Sequence, residues 1–346
     1  MAQHTINDLR IMQGLPLSVK VRMTQTRIRE WVREFGEDGV YVSFSGGKDS
    51  TVLLHLVREL YPGVEAVFVN TGLEFPEIQR FVKGFDNVTI LTPKMSFKEV
   101  LNVYGYPFIS KDASQFIHEV HRATGPREKL RAYQRFNENS DYCQKWPSYS
   151  LAKWKPLLDV DFRISHYCCN KTKKQPAKHF ETASGKKPML ATMAEESALR
   201  QTNWLQHGCN AFDTKRPRSA PLSFWTEQDV LKYIKTEGIK IAPVYGDVVA
   251  TDGDGYEYEQ SLVECNYKTT GRQRTGCIFC GFGAHLEKGE GRFELLKRTH
   301  PRQYDYCMGG GAYDSDGLWK PTKEGLGMAH CIDELCRIYG KDFIRY

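Results

Sequence analysis

The sequence lacks a long hydrophobic run. No stretch of its 346 residues approaches the roughly 18 consecutive apolar residues that a transmembrane helix requires. Residues 1–20 also lack the apolar core of a signal peptide. Internal repeats and low-complexity tracts are absent, so no repeat architecture is expected. With 40% hydrophobic and 26% charged residues, the composition indicates a globular protein, which we expect to be cytoplasmic.

A strong excess of charge of either sign is also missing, since the net charge is only +6. That value suits a polyanionic partner without requiring one. The ten cysteines are more informative. In a long chain without a secretion signal they favour reduced thiols, metal ligands or redox chemistry over a disulfide framework.

The sequence contains no Walker phosphate loop, which needs Gly-x-x-x-x-Gly-Lys-Ser/Thr. It has instead an apolar strand, Val40-Tyr41-Val42, that leads through Ser45-Gly46-Gly47-Lys48-Asp49-Ser50 into a helix with apolar residues at helical spacing. A two-glycine turn at a helix N-terminus presents backbone N–H groups to an anion, and Lys48 adds a positive charge. This run predicts a phosphate cradle; the alternative is an ordinary glycine-rich turn.

Strands and helices alternate along the first part of the chain, which predicts a doubly wound parallel sheet. Helices are predicted over 23–35, from Pro76 to about residue 82, over 97–104 and over 226–236 with Thr226 as N-cap, and a strand is predicted over 187–193. Ligands of such sheets bind beyond the carboxyl ends of the strands, where both Gly46-Gly47 and Thr71-Gly72 fall. We predict an N-terminal helical segment at 1–38 and a nucleotide-binding α/β domain at 39–245. That domain would contain a helical insertion at about 110–161. An irregular, Cys-rich region that binds a metal cluster would follow at 246–346.

Four cysteines form two pairs, Cys168-Cys169 and the Cys-x-x-Cys of Cys277 and Cys280. Four thiolates suit either tetrahedral zinc or an iron–sulfur cluster. Zinc sites are normally built from Cys-x₂₋₄-Cys knuckles, and an adjacent pair cannot form one. The spacing therefore favours a [4Fe–4S] cluster over zinc or over unrelated structural cysteines.

The phosphate run resembles the pyrophosphate loop of the adenine-nucleotide alpha-hydrolase superfamily. In the same order follow Thr71-Gly72-x-x-Phe75-Pro76-Glu77, the Cys-Cys pair, Glu196-Ser197-x-x-Arg200, Pro221-Leu222-x-x-Trp225 and the late Cys-x-x-Cys. This order resembles the phosphoadenylyl-sulfate (PAPS) reductase-like family over about residues 39–283. It is most similar to the iron–sulfur branch that contains adenylyl-sulfate reductases and DNA phosphorothioation enzymes.

The resemblance implies an enzyme that binds ATP with Mg²⁺ and cleaves it to AMP and pyrophosphate, activating an acceptor for sulfur transfer. Lys48 and Asp49 would be catalytic, with Asp49 helping to bind magnesium, and Cys168, Cys169, Cys277 and Cys280 would ligate the cluster. The implied partners are an adenine nucleotide, a sulfur-donor protein and a DNA or tRNA acceptor. The expected nucleotide-binding residues are Ser43, Ser45, Gly46, Gly47, Lys48, Asp49, Ser50, Thr71, Gly72, Glu77, Glu196 and Arg200.

The sequence lacks the Glu-Cys-Gly-Leu-His motif that carries the catalytic cysteine of the sulfonucleotide reductases. Its C-terminal thiols, Cys307, Cys331 and Cys336, stand in unrelated contexts. The missing motif favours ATP cleavage over reduction. Two alternatives stay open: a thiol-dependent adenylyl-sulfate or PAPS reductase that releases sulfite, and a non-catalytic nucleotide- and redox-sensing subunit of a complex.

Overall fold

The computed structural model describes residues 4–251 and 265–346. Its strands, numbered in chain order, are β1 (Val40–Ser43), β2 (Ala66–Val69), β3 (Val88–Leu91), β4 (Phe108–Ile109), β5 (Lys187–Met189), β6 (Asn210–Ala211), β7 (Arg218–Ser219), β8 (Val248–Thr251), β9 (Asn266–Thr269), β10 (Gly281–Phe282), β11 (Ala312–Tyr313) and β12 (Trp319–Lys320).

The helices of the same residues are likewise numbered in chain order. They are α1 (Ile6–Gln13), α2 (Leu17–Phe35), α3 (Lys48–Leu60), α4 (Pro76–Lys83), α5 (Phe97–Tyr104), α6 (Lys111–Arg122), α7 (Pro126–Tyr133), α8 (Asp141–Lys145), α9 (Tyr167–Cys169), α10 (Gln175–Ser184), α11 (Ala198–His207), α12 (Glu227–Glu237), α13 (Arg292–Thr299), α14 (Pro301–Met308) and α15 (Met328–Tyr339). None of the described helices is long and apolar enough to span a bilayer.

The chain divides into two compact units, each assembled from three segments. The first unit comprises Met1–Asn70, Glu74–Thr92 and Pro176–Thr275, and the second comprises Thr71–Leu73, Pro93–Gln175 and Gly276–Tyr346. The domain boundaries expected after residues 38 and 245 stay predictions.

A six-stranded sheet in the order β3-β2-β1-β5-β7-β6 forms the centre of the first unit. Its strands run parallel except for β6, which pairs antiparallel with β7. Val40, Tyr41 and Val42 are all buried, so both faces of β1 are covered, as in parallel sheets generally. The predicted α/β class with a parallel sheet is confirmed.

The strand order changes direction beside β1. The chain passes from β1 to β2 and then β3 on one side, and later returns to place β5 on the other side of β1. The register pairs Val42 with Ala66 on one side and with Met189 on the other. The carboxyl end of β1 therefore lies at the topological switch point, where ligands of such sheets bind.

A buried ion pair joins α2 to the start of α12. Lys20 is 2% exposed, and its Nζ donates to Asp229 Oδ2 at 2.6 Å and to the carbonyl of Gln13 at 2.5 Å. Asp229 also completes the capping box with Thr226, the predicted N-cap of this helix. Two helices that are distant in sequence are thus held by one cation.

Replacing Lys20 with methionine should lower the free energy of unfolding by about 3 kcal/mol, because the carboxylate of Asp229, which is only 13% exposed, would lose its cation. Equilibrium urea denaturation measures the loss. Arg27→Met is the control in the same helix, since its pair with Glu30 is about 40% exposed and should be worth below about 1 kcal/mol. Equal losses in the two variants would contradict the prediction.

The second unit is mainly helical. The region predicted as a helical insertion at about 110–161 contains α6, α7, α8 and several short 3₁₀ turns. The region after residue 246, expected to be irregular, contains α13, α14 and α15. These helices form because each buries an apolar face, as Phe293 and Leu296 do in α13 and Ile332 and Leu335 do in α15.

Candidate phosphate loop and cysteine group

The predicted phosphate cradle, here called the phosphate loop, comprises residues 45–50, which lead from the end of β1 into the first turn of α3 in the first unit. Gly46 has a φ of +72°, and a Cβ at this position would lie 2.7 Å from Val82 and 2.8 Å from Ile78. The turn thus requires glycine on both conformational and steric grounds. Gly47 then caps the N-terminus of α3. The amide groups at this helix start stand where a phosphate would be stabilised.

The serines of the loop hold its shape. Ser50 Oγ accepts the amide hydrogen of Ser45 at 3.2 Å and donates to the carbonyl of Gly47 at 2.9 Å. The hydroxyls of Ser45 and Ser50 are 3.0 Å apart, and Ser45 Oγ accepts from the amide of Gly47 at 3.3 Å. Ser43, the last residue of β1, is half-buried. The hydroxyls of Ser45 and Ser50 preorganise the turn through these internal hydrogen bonds.

Lys48 is buried at 3% exposure, and acceptors surround its ammonium group. Nζ lies 3.1 Å from Glu227 Oε1 and 3.6 Å from Asp49 Oδ1, and it donates to the carbonyl of Gln273 at 3.2 Å. Burial raises the pKa of Asp49; the positive charge of Lys48 opposes this rise and Glu227 adds to it. Apart from these ion pairs with Lys48, Asp49 Oδ1 and Glu227 Oε1 are buried and accept no hydrogen bond from the described residues.

Arg200 and Glu196 lie at the start of α11 in the same unit. Glu196 accepts the amide hydrogen of Met193 at 2.9 Å and pairs with Arg200. Burial lowers the pKa of Arg200, and the negative charge of Asp49 opposes this effect. Arg200 also lines a cavity of 270 Å³ that Met193 and Trp204 border.

The remaining predicted nucleotide-binding residues are Glu77, Thr71 and Gly72. Glu77 lies in the first turn of α4 and is 3.5 Å from Arg80. Thr71 and Gly72 belong to the second unit, where Thr71 Oγ1 accepts the amide hydrogen of Leu73 at 3.1 Å and Gly72 has a φ of +72°. The roles predicted for these three residues stay predictions.

The second unit contains all four predicted cluster ligands. The sulfurs of Cys168 and Cys169 are 3.9 Å apart. The hydrogen bond with Cys169 and burial raise the pKa of Cys168, and the charges of Cys280 and Cys277 add to this rise. Cys168 and Cys169 end α9, which continues through a π-helical turn at 170–174 into α10. Such turns occur frequently at functional sites.

Cationic side chains surround the cysteine group, which we define as Cys168, Cys169, Cys277 and Cys280. The hydrogen bond from Cys168 lowers the pKa of Cys169 to about 6, against the effect of burial and with help from Lys111, Lys173 and Lys174. Burial raises the pKa of Cys277 to about 11, although Lys173 favours its thiolate. Arg292 donates to the carbonyl of Cys280 at 2.8 Å. The basic residues therefore favour negative charge at the thiols.

Across residues 4–251 and 265–346, no set of three or more His, Cys, Asp or Glu side chains has an arrangement that would hold a metal ion. The [4Fe–4S] cluster and the magnesium ion therefore remain proposals.

Four residues lie beside the phosphate loop although no sequence motif indicated them. They are Glu227, Tyr245, Gln273 and Thr275. The only available signal was the position of Glu227 in the first turn of a helix that follows Pro221-Leu222-x-x-Trp225.

The fold is α/β, with a glycine-rich loop at the switch point of a parallel sheet, which is where proteins of this class bind their ligands. Residues 39–137 match the sequence family described as the phosphoadenosine phosphosulfate reductase domain. The predicted resemblance to the PAPS reductase-like family is thereby confirmed for this part of the chain. Its extension to the iron–sulfur branch remains a proposal.

Two curated relatives are similar over parts of their length. The chain is 35% identical to an uncharacterized protein of Methanocaldococcus jannaschii over 119 residues, 33% of this chain and 28% of that protein. It is 28% identical to sulfate adenylyltransferase subunit 2 of Pseudomonas savastanoi pv. phaseolicola over 240 residues, 65% of this chain and 66% of that protein. The chain thus covers less than two thirds of either relative.

Among solved structures, the PAPS reductase of Candida auris in its phosphate complex is similar at 14% sequence identity and a TM-score of 0.35. The match covers 64% of this chain and 82% of that one.

Proposed function

We propose that this protein binds ATP at the phosphate loop and cleaves it to AMP and pyrophosphate, which activates an acceptor for sulfur transfer. The observation that carries the proposal is the position of the loop. It follows β1 at the point where the strand order reverses, and it leads directly into α3 with Lys48 as the first helical residue. The match to a domain named for a phosphosulfate nucleotide supports the same class of ligand.

The residues around the loop suit triphosphate chemistry. The amides at the start of α3 and the ammonium of Lys48 would stabilise the negative charge that develops on the β- and γ-phosphates. Magnesium prefers carboxylate and phosphate oxygens. The buried oxygens of Asp49 and Glu227, which accept no hydrogen bond among the described residues, suit that ion. When bound, magnesium would neutralise phosphate charge.

We propose a [4Fe–4S] cluster as the second cofactor, with the cysteine group as its ligands, on the chemistry of the four thiols and not on their spacing in the structure. Four thiols belong to one unit, and the basic residues Lys111, Lys173 and Arg292 offset the negative charge of a thiolate-ligated cluster. When bound, the cluster would hold or deliver sulfur or stabilise the site around it. Zinc is the alternative occupant of the same thiols.

The acceptor and the partners belong to the same proposal. The superfamily resemblance favours a DNA or tRNA acceptor and a sulfur-donor protein, and the net charge of +6 suits a nucleic acid. We propose a cytoplasmic setting, in which the ten cysteines would stay reduced. All ten are free thiols in the structure.

The burial of the C-terminal thiols favours ATP cleavage over a reductase reaction. A nucleophilic cysteine needs access to its substrate and a stabilised thiolate. Cys307 and Cys331 are each 0% exposed, and burial raises the pKa of both thiols. Cys336 is half-buried against the carbonyl of Ile344, with its sulfur 3.5 Å from that oxygen.

Product analysis tests the proposed reaction. Incubation of anaerobically prepared protein with ATP and Mg²⁺ is expected to yield AMP and pyrophosphate, if necessary after addition of sulfur donor and nucleic acid. Cys307→Ser, Cys331→Ser and Cys336→Ser should leave this cleavage largely intact, because none of these thiols belongs to the phosphate loop. Release of sulfite from adenylyl sulfate or PAPS, abolished by one of the three substitutions, would instead establish a reductase.

A further inference from the structure

Two hydroxyl groups lie beside the phosphate loop, and both belong to a part of the first unit that is distant from the loop in sequence. The amide of Lys48 donates to Tyr245 Oη at 3.2 Å, and that oxygen is 2.5 Å from Thr275 Oγ1. A Cβ added at Gly47 would lie 3.3 Å from the Tyr245 hydroxyl and 3.6 Å from that of Thr275. Both hydroxyls therefore lie next to the backbone surface that an anion would approach.

The ammonium group of Lys48 also has partners within the protein. The ammonium of Lys48 donates to the carbonyl of Gln273 and contacts the carboxylate of Glu227. The first amide of α3 and the charged side chain of its first residue thus both have partners within the protein. A phosphate that took these two donors would have to replace hydrogen bonds that already exist.

Backbone hydrogen bonds connect the segments that carry the two hydroxyls. Tyr245 ends a 3₁₀ turn that begins at Pro243. The amide of Gly271 donates to the carbonyl of Tyr245 at 2.8 Å, and the amide of Arg272 donates to the carbonyl of Val244 at 2.9 Å. These bonds join segments 243–245 and 271–275, so the two hydroxyls are held beside the loop by connected backbone.

We propose that Tyr245 and Thr275 form a plug that occupies the phosphate loop and sets its affinity for phosphate groups. The hydroxyl of Tyr245 stands in for a phosphate oxygen, and a pyrophosphate or triphosphate group binds when the plug is displaced. The apparent dissociation constant then equals the intrinsic constant divided by the fraction of open loop. This inference rests on the proposed nucleotide site and adds the residues that govern its occupancy.

Removal of the plug hydroxyl should strengthen binding. Tyr245→Phe keeps the buried ring and loses the hydroxyl, and with it the acceptor for the Lys48 amide and the hydrogen bond with Thr275. Thr275→Val keeps the Tyr245 hydroxyl and removes its hydrogen-bond partner. Each variant is expected to bind inorganic pyrophosphate roughly 3- to 10-fold more tightly than the unaltered protein, the range that corresponds to one net hydrogen bond. Isothermal titration calorimetry with magnesium pyrophosphate, repeated with ATP, measures this change.

Tyr233→Phe is the matched control, because this buried tyrosine of the same unit bonds His55 at 3.2 Å and makes no hydrogen bond to the loop among the described residues. Its affinity should equal that of the unaltered protein. Unchanged or weaker binding in both Tyr245→Phe and Thr275→Val would overturn the plug.

Titration of Lys48→Met with magnesium pyrophosphate separates the proposed plug from the proposed nucleotide site. If Lys48→Met weakens binding and the plug variants fail to strengthen it, only the plug is wrong. Equal binding by Lys48→Met and the unaltered protein would reject the nucleotide site itself.

Discussion

Replacement of Lys48 by methionine is expected to weaken ATP binding by roughly 30- to 100-fold. A charge-assisted contact with phosphate in a preorganised site is worth roughly 2–3 kcal/mol, and each 1.4 kcal/mol changes affinity about tenfold. Methionine retains most of the apolar stem of this buried side chain, so the loss reports the missing charge. Calorimetric titration with ATP in the presence of Mg²⁺ gives the affinity.

The same substitution should leave the cysteine group unaltered, since the phosphate loop and the cysteines use different residues. Lys235→Met is a suitable control, because this lysine is exposed in the last turn of α12. Its ATP affinity should stay within twofold of that of the unaltered protein. Undiminished ATP affinity in a folded Lys48→Met protein would contradict the assignment of the phosphate site.

Anaerobically purified protein is expected to be brown and to contain four iron and four sulfide ions per chain, the content of one [4Fe–4S] cluster. Changing Cys168, Cys169, Cys277 or Cys280 to alanine should each abolish the visible absorbance, because each change removes one of the four thiolate ligands. Absorption spectra and iron and sulfide analyses of the five proteins measure the outcome. We expect each of the four variants to lose the visible absorbance completely.

Cys143→Ala and Cys209→Ala are the controls for this series. Both thiols are buried and lie outside the cysteine group; Cys209 hydrogen-bonds to Ser223, and Cys143 lies against the carbonyls of Gln134 and Arg135. These variants should keep the colour. A colourless anaerobic preparation that contains one zinc ion per chain would refute the cluster and would assign the thiols to zinc.

Local patterns predicted many elements correctly, because their causes are local. The structure begins α4 at Pro76 and places α5 over Phe97–Tyr104, as the sequence predicts. Thr226 caps α12 through the expected capping box with Asp229. Other bounds differ. Helix α2 begins at Leu17 rather than near Met23, since Leu17 follows directly on Pro16, which fixes the N-cap geometry. Strand β5 ends at Met189 and not at Met193, because its pairing with β1 stops at Met189.

The sequence by itself determined the class of fold, the phosphate loop and the candidate thiols. Alternating strands and helices dictate a parallel sheet, and a strand–glycine–helix turn carries its anion-binding geometry within six residues.

Only the tertiary structure decided what surrounds Lys48 and which thiols are accessible. Lys48 and its partner Tyr245 are 197 residues apart, and Lys48 is 225 residues from Gln273. No local pattern encodes contacts of that range, because they exist only after the sheet order brings separate segments together. The burial of Cys307 and Cys331 likewise follows from helix packing, which sequence spacing does not specify.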